Sequence, residues 1–231
     1  MLLTYWLFVA GVLLFTAFIS YGTYRTAQLL KHWRPPQNIL LHPLENLARL
    51  GMIALCLGLG WLSGLSRQTL GWQVHSWGNQ VLLGGAIGLG AGIFFFLSTR
   101  WIMARTGRRV YSTVVIEQIA PTSNRELVLV LLAMLPVVLL EELLFRSLLL
   151  GGFSPILPVP VLLLGLTLLF GLLHGPQGIW GMIGAGLAGL LFGLIFLGQA
   201  SLLTPVAAHY VTNAFQIVQA RRYYGDQAAA G

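Results

Sequence analysis

The sequence is poor in charge. Of 231 residues, 8% are Asp, Glu, Lys or Arg, and only six are acidic. A soluble domain carries about 25% charged residues. The shortage, beside 57% hydrophobic residues and a mean hydropathy of +0.81, excludes that class. Cysteine occurs once, at Cys56. One cysteine excludes an internal disulfide and a cysteine-based metal site. Set among Leu55, Leu57 and Leu59, it reads as a buried, inert thiol. The lack of acid leaves a formal net charge of +7. Such an excess can serve nucleic acid, but here Lys and Arg fall between apolar runs. That pattern fits cytoplasmic loops facing anionic lipid. The expected partner is a lipid bilayer, with no nucleic acid. No positive stretch precedes the first apolar run, so 2–21 reads as a retained first span and not a cleaved signal peptide.

What the chain has is apolar runs of membrane-spanning length. Seven are expected, at about 2–21, 44–65, 80–103, 126–150, 160–174, 178–197 and 202–218. Connectors are marked by Pro35-Pro36, by Gly151-Gly152-Phe153-Ser154-Pro155, and by Gly175-Pro176, which stop helices. Trp72 and Trp77 suit an interfacial aromatic belt, and His32 and His42 are expected at water or headgroups. Glu45 and Arg49, four apart, read as a weak surface pair. Glycines 84, 85, 88, 90 and 92 in the third span, and 181, 184, 186, 189 and 193 in the sixth, are spaced for close helix contact. The polar stretch 104–125, with Arg105, Arg108 and Arg109 against Glu117, suits a short helix on the membrane surface. The fold expected is all-α, a polytopic transmembrane bundle of about seven spans. It divides into N-terminal spans and basic loops (1–125), a helical core (126–219) and a tail (220–231). The basic connectors at Arg25 to Arg34 and Arg100 to Arg109, and the tail at Arg221, fall on one side if the spans number seven. The positive-inside rule then puts the N-terminus out and the C-terminus in.

The fourth run contains Glu141-Glu142-Leu143-Leu144-Phe145-Arg146. Each ionisable group in such a run costs about 2.5–3.5 kcal/mol on insertion scales. Glu142 and Arg146 are four apart and stack on one helix face, where they can pair. Glu141 is turned about 100° away. A structural ion pair accounts for Glu142 and Arg146 but leaves Glu141 unexplained. Few other strongly polar groups lie in the spans: His174, one turn past Phe170, and His209, one turn before Asn213. Taken singly, each histidine reads as a hydrogen-bonded structural residue. Together with the glutamates they imply a shared polar cavity. At 1.5 Å per residue, Glu141 lies about 15 Å below the face where the fourth span ends, His209 about 10 Å and His174 about 20 Å. These depths agree best if His174-Gly175-Pro176 is a helix break lining that cavity.

In order, Glu141-Glu142-xxx-Arg146, Phe170-xxx-His174 and His209-xxx-Asn213 resemble the three motifs of the CPBP family: the CAAX prenyl endopeptidases and bacteriocin-processing enzymes, also called Abi. The resemblance covers roughly 126–213 and implies an intramembrane endopeptidase acting on a membrane-associated protein or peptide. The compact chain is similar to the bacterial branch, which implies a bacterial inner membrane. Peptide hydrolysis needs an activated water, an oxyanion stabiliser and an acid for the leaving amine. Glu141, desolvated and not paired to Arg146, suits the base. His174 suits positioning of the water, and His209 and Asn213 the oxyanion. Glu142 and Arg146 would hold the fourth span and its charges. No cofactor is favoured. A divalent metal such as zinc stays open, since one Glu and two His form a peptidase ligand set, although HExxH spacing is absent. Membrane Glu/His/Arg sets also mark proton-coupled carriers, and a non-catalytic scaffold is a third reading. Against the carrier, there is no repeat and no matched pair of broken helices.

Overall fold

The computed structural model describes residues 3–33, 35, 37–107 and 118–230. Seven long helices follow in order: α1 Leu3–Leu29, α2 Pro43–Leu62, α3 Trp77–Thr106, α4 Asn124–Glu142, α5 Val159–Leu173, α6 Ile179–Gln199 and α7 Leu203–Ala230. No strand occurs among the described residues. Five segments are long and apolar enough to cross a membrane: α1, α2, α3, α6, and α4 with its continuation to Gly151. Helix α5 is apolar but shorter. Each expected span is present, though α1 runs on past Tyr21 to Leu29. Arg34 and Pro36, and most of the surface helix expected within 104–125, lie outside the described residues.

Local chemistry sets the start of α4. Ser123 is the N-cap, its Oγ accepting from Glu126 N at 3.1 Å. Glu126 reaches back to accept from Thr122 N at 2.8 Å and from Asn38 Nδ2 at 3.1 Å. This reciprocal arrangement satisfies amides a helix end leaves open. It also ties the start of α4 to the connector ahead of α2.

Glycine sets the closest packing. A Cβ on Gly88 would strike the Ala208 carbonyl, one on Gly84 would come 2.5 Å from Thr204 O, and one on Gly92 3.0 Å from Phe215. One stripe of α3 therefore lies directly on α7, where Thr212 Oγ1 donates to Gly88 O at 3.1 Å. Gly85 and Gly90 meet nothing within 4 Å, since they face away from that stripe. In α6, Gly186 and Gly189 admit Gly171 and Phe170 of α5, and Gly193 admits Leu163.

Two groups of connectors collect at opposite ends of the bundle. Trp72 bridges to Ser201, and Leu202 N donates to Gly71 O at 2.8 Å. Gly151, ending the fourth span, abuts Thr69 beside them. At the other end, Leu30, Ile39, Gln118, Ile119 and Gln177 line one cavity. Connectors one, three and five thus share one end, and two, four and six the other, as seven crossings require. Reporter fusions after Leu30, at Gly107 and after Arg222 are expected to read cytoplasmic together. An outside signal from any one rejects this arrangement.

Two surface assignments change, at His42 and Arg49. Trp72 packs inward at the end of the bundle. It is half-buried, with Nε1 donating to Ser147 Oγ at 2.9 Å, because Gly60 leaves room for its ring. Trp77 stays at the surface, 68% exposed. The Nδ1 of His42 is buried, whereas His32 is exposed. The Arg49 side chain is only 13% exposed against 54% for Glu45, so this is not a surface pair. Cys56 is fully buried, as expected.

Candidate active site

Glu141 and Glu142 are the last residues of α4. From Leu143 to Gly151 the helix opens to π spacing, and all nine residues of that segment are buried. Short π segments gather at functional sites because the wider turn re-aims side chains. Here the widened stretch carries Arg146 across to α5 and α6. Its Nη2 donates to Gly189 O at 2.9 Å, and its Cζ lies 5.0 Å from the Phe170 ring centroid, 5.6 Å from Phe192 and 5.9 Å from Phe145. Three aromatic faces and one carbonyl thus receive the guanidinium where water is excluded.

Glu142 and Arg146 pair, as the four-residue spacing predicts. Nη1 lies 3.1 Å from Glu142 Oε1, close enough for an ion pair but not aligned as a hydrogen bond. Both side chains are buried, at 0% and 3% exposure. The aligned partner of Glu142 is another residue. His209 Nδ1 lies 2.7 Å from the same Oε1. An ionised carboxylate only accepts, so Nδ1 carries the proton and donates. The opposite ring nitrogen, Nε2, then faces Glu141 Oε2 at 3.6 Å. His209 stands between the two glutamates, held flat against Phe192 at 4.7 Å and 24°. Glu141 is therefore not the isolated carboxylate that helical rotation alone implies. It is 28% exposed and has an imidazole for a neighbour, because α7 inserts His209 between the diverging side chains.

His174 caps α5 immediately before the turn Gly175–Gln177. Its Nδ1 donates to Phe170 O at 2.7 Å, which leaves Nε2 as the ring's other nitrogen for a ligand. His174, Pro176 and Gln177 line a cavity of about 1060 Å³ between α1 and α2. The expected break is present, but the cavity it lines is largely apolar and includes neither Glu141 nor His209. Phe170 lies between the two histidines, 4.6 Å from the His174 ring and 6.1 Å from His209. Asn213 follows His209 by one turn, with Nδ2 directed at Met134 Sδ, 3.7 Å away.

A zinc set would need Glu141, His174 and His209 around one point. Among the described residues no three His, Cys, Asp or Glu side chains converge in that way. The Glu141 and His209 pair offers two donors, with Phe170 between them and His174, so this arrangement does not fit a three-donor site.

Phe192, Phe145 and Gly189 were not legible as site residues. An apolar residue in an apolar span carries no signal of what it faces. Arg49, read in the sequence as part of a surface pair with Glu45, has a side chain only 13% exposed.

No curated protein and no solved structure matches the chain. Residues 123–215 match the family described as Type II CAAX prenyl endopeptidase Rce1-like. All of the motif residues lie inside that stretch, so the segment similar to the Rce1-like family is the one whose three motifs resemble the CPBP family.

Proposed function

We propose that this chain hydrolyses a peptide bond of a membrane-associated protein or peptide, using a water activated by Glu141. The match of 123–215 to the Rce1-like family and the apolar helices support an integral membrane protein of the CAAX-protease type. The observation that carries the finer reading is the disposition of His209. Its Nδ1–H is committed to Glu142, so its Nε2 lone pair and the Glu141 carboxylate form two acceptors 3.6 Å apart. A water donating one O–H to each has its own lone pair directed at a carbonyl carbon. As that oxygen bonds to carbon, Glu141 takes the released proton, then gives it to the departing amine. The carbonyl electrons move onto oxygen, which needs a donor. Asn213 suits it: its amide contacts only a thioether sulfur, a weak acceptor readily exchanged for an oxyanion. His174 Nε2, on the cavity wall, suits orientation of the water or the substrate. The roles first assigned to His209 and Asn213 are thereby divided, and the donor arrangement supports a metal-free route. We place the protein in a bacterial inner membrane, the location that the resemblance implies.

The test is cleavage by the purified protein in a bilayer. Its peptide substrate is found by comparing membrane peptides from cells with and without the chain. Asn213→Ala is expected to lower the rate about 10²–10³-fold, the scale of an oxyanion donor. A rate unchanged by Asn213→Ala removes the oxyanion assignment. The absence of any chain-dependent cleavage removes the hydrolytic reading.

A further inference from the structure

Helix α2 lies outside the Rce1-like segment, yet its buried seam points into the site. The seam consists of Ile53, Cys56 and Gly60. Ile53 and Cys56 join the same buried cluster as Leu140 and Leu144 of the fourth span. A Cβ on Gly60 would stand 3.3 Å from Leu148. Both helices start at the same end of the bundle. With that register, stepping back along α2 puts Arg49 about one turn from Glu141. Arg49 is also four residues before Ile53, so it extends the same seam.

The immediate contacts of Arg49 lie on its own helix. Nη1 donates to Asn46 Oδ1 at 3.0 Å, and Nη2 lies 3.7 Å from the largely exposed Glu45 carboxylate. Glu141, on the facing helix, is the second anion acting on Arg49, at longer range than the ion pair with Glu45. A cation inside an apolar span is costly unless matched. Charged groups of opposite sign then follow one another on either side of the His209 ring: Glu45, Arg49 and Glu141 on one side, Glu142 and Arg146 on the other. Glu45 also lines the cavity that holds His174.

We propose that Arg49 is a positioning residue of the hydrolytic centre, orienting the Glu141 carboxylate toward His209 and linking the α1 and α2 pair to the reaction. It rests on the hydrolytic reading above. Arg49 touches neither the water nor the scissile bond, and its action is electrostatic restraint of Glu141 from α2. A cation of another shape at that place retains part of the effect, and a neutral side chain does not.

Two measurements test this. In cleavage, Arg49→Gln is expected to lower kcat about 10²-fold, the scale of a misplaced catalytic group, with KM unchanged. Arg49→Lys is expected to recover most of that loss, and added guanidinium ion to recover part of it in Arg49→Ala. In thermal unfolding, the Tm losses of Arg49→Gln and Glu141→Gln are expected not to sum in the double variant, since each removes the same electrostatic interaction. Additive Tm losses, or an Arg49→Gln enzyme with unchanged kcat, overturn the proposal. Coupled Tm losses in a chain that cleaves nothing overturn the hydrolytic reading, and this role with it.

Discussion

Glu141→Gln is expected to remove about 10²–10⁴-fold of the cleavage rate, the range a general base contributes, while the protein still inserts and folds. The substitution keeps the shape of the side chain and its place beside His209 Nε2, 3.6 Å away. It removes the ability to take a proton. Because Glu141 is 28% exposed and is not the hydrogen-bonded partner of His209, the change leaves no deeply buried group stranded. A structural role for Glu141 therefore predicts a small effect and a catalytic role a large one. His174→Ala in the Glu141→Gln background is expected to add little, since groups that act on one water fail together. The measurement is the rate on one membrane peptide, with folded protein quantified by size-exclusion profile. A cleavage pattern unaltered by Glu141→Gln ends the protease reading and leaves a carrier or a scaffold in its place.

What the sequence made legible was what hydrocarbon makes expensive. The seven apolar runs became helices, although α1 runs past its expected end to Leu29 and α7 to Ala230. Glu141, Glu142, Arg146, His174 and His209 stood out because charge and imidazole are rare inside spans. The i,i+4 rule paired Glu142 with Arg146 correctly. It gave no access to tertiary partners. His209 lies 67 residues from Glu142 in sequence, and only the packing of α7 beside α4 makes it the ligand of both glutamates. The π-helical stretch was also silent, since Leu143–Gly151 reads as an ordinary apolar helix. Arg49 was misread for a related reason. Four-residue spacing to Glu45 is visible in the sequence, whereas the burial that separates the two side chains is not.

Arg146→Ala is expected to damage folding more than the double change Glu142→Leu, Arg146→Leu. The guanidinium is 3% exposed and the Glu142 carboxylate 0% exposed. Removing the cation strands a buried carboxylate and the Gly189 carbonyl, and leaves a void among Phe145, Phe170 and Phe192. Breaking one side of a buried pair costs about 3–5 kcal/mol. That is a large part of a typical total stability of about 5–15 kcal/mol. The double change removes both charges and refills the aromatic cage with an apolar side chain of moderate size. It still leaves His209 Nδ1–H without its acceptor, a cost of about 1–3 kcal/mol, so it should fall short of the unaltered protein. The expected order of folded yield is unaltered, then double, then Arg146→Ala. Both variants are expected to be inactive, because His209 loses its orientation when Glu142 is removed or unpaired. Yield is therefore the informative readout. Equal yields for the single and double variants would show that the pair does not carry the energy assigned to it.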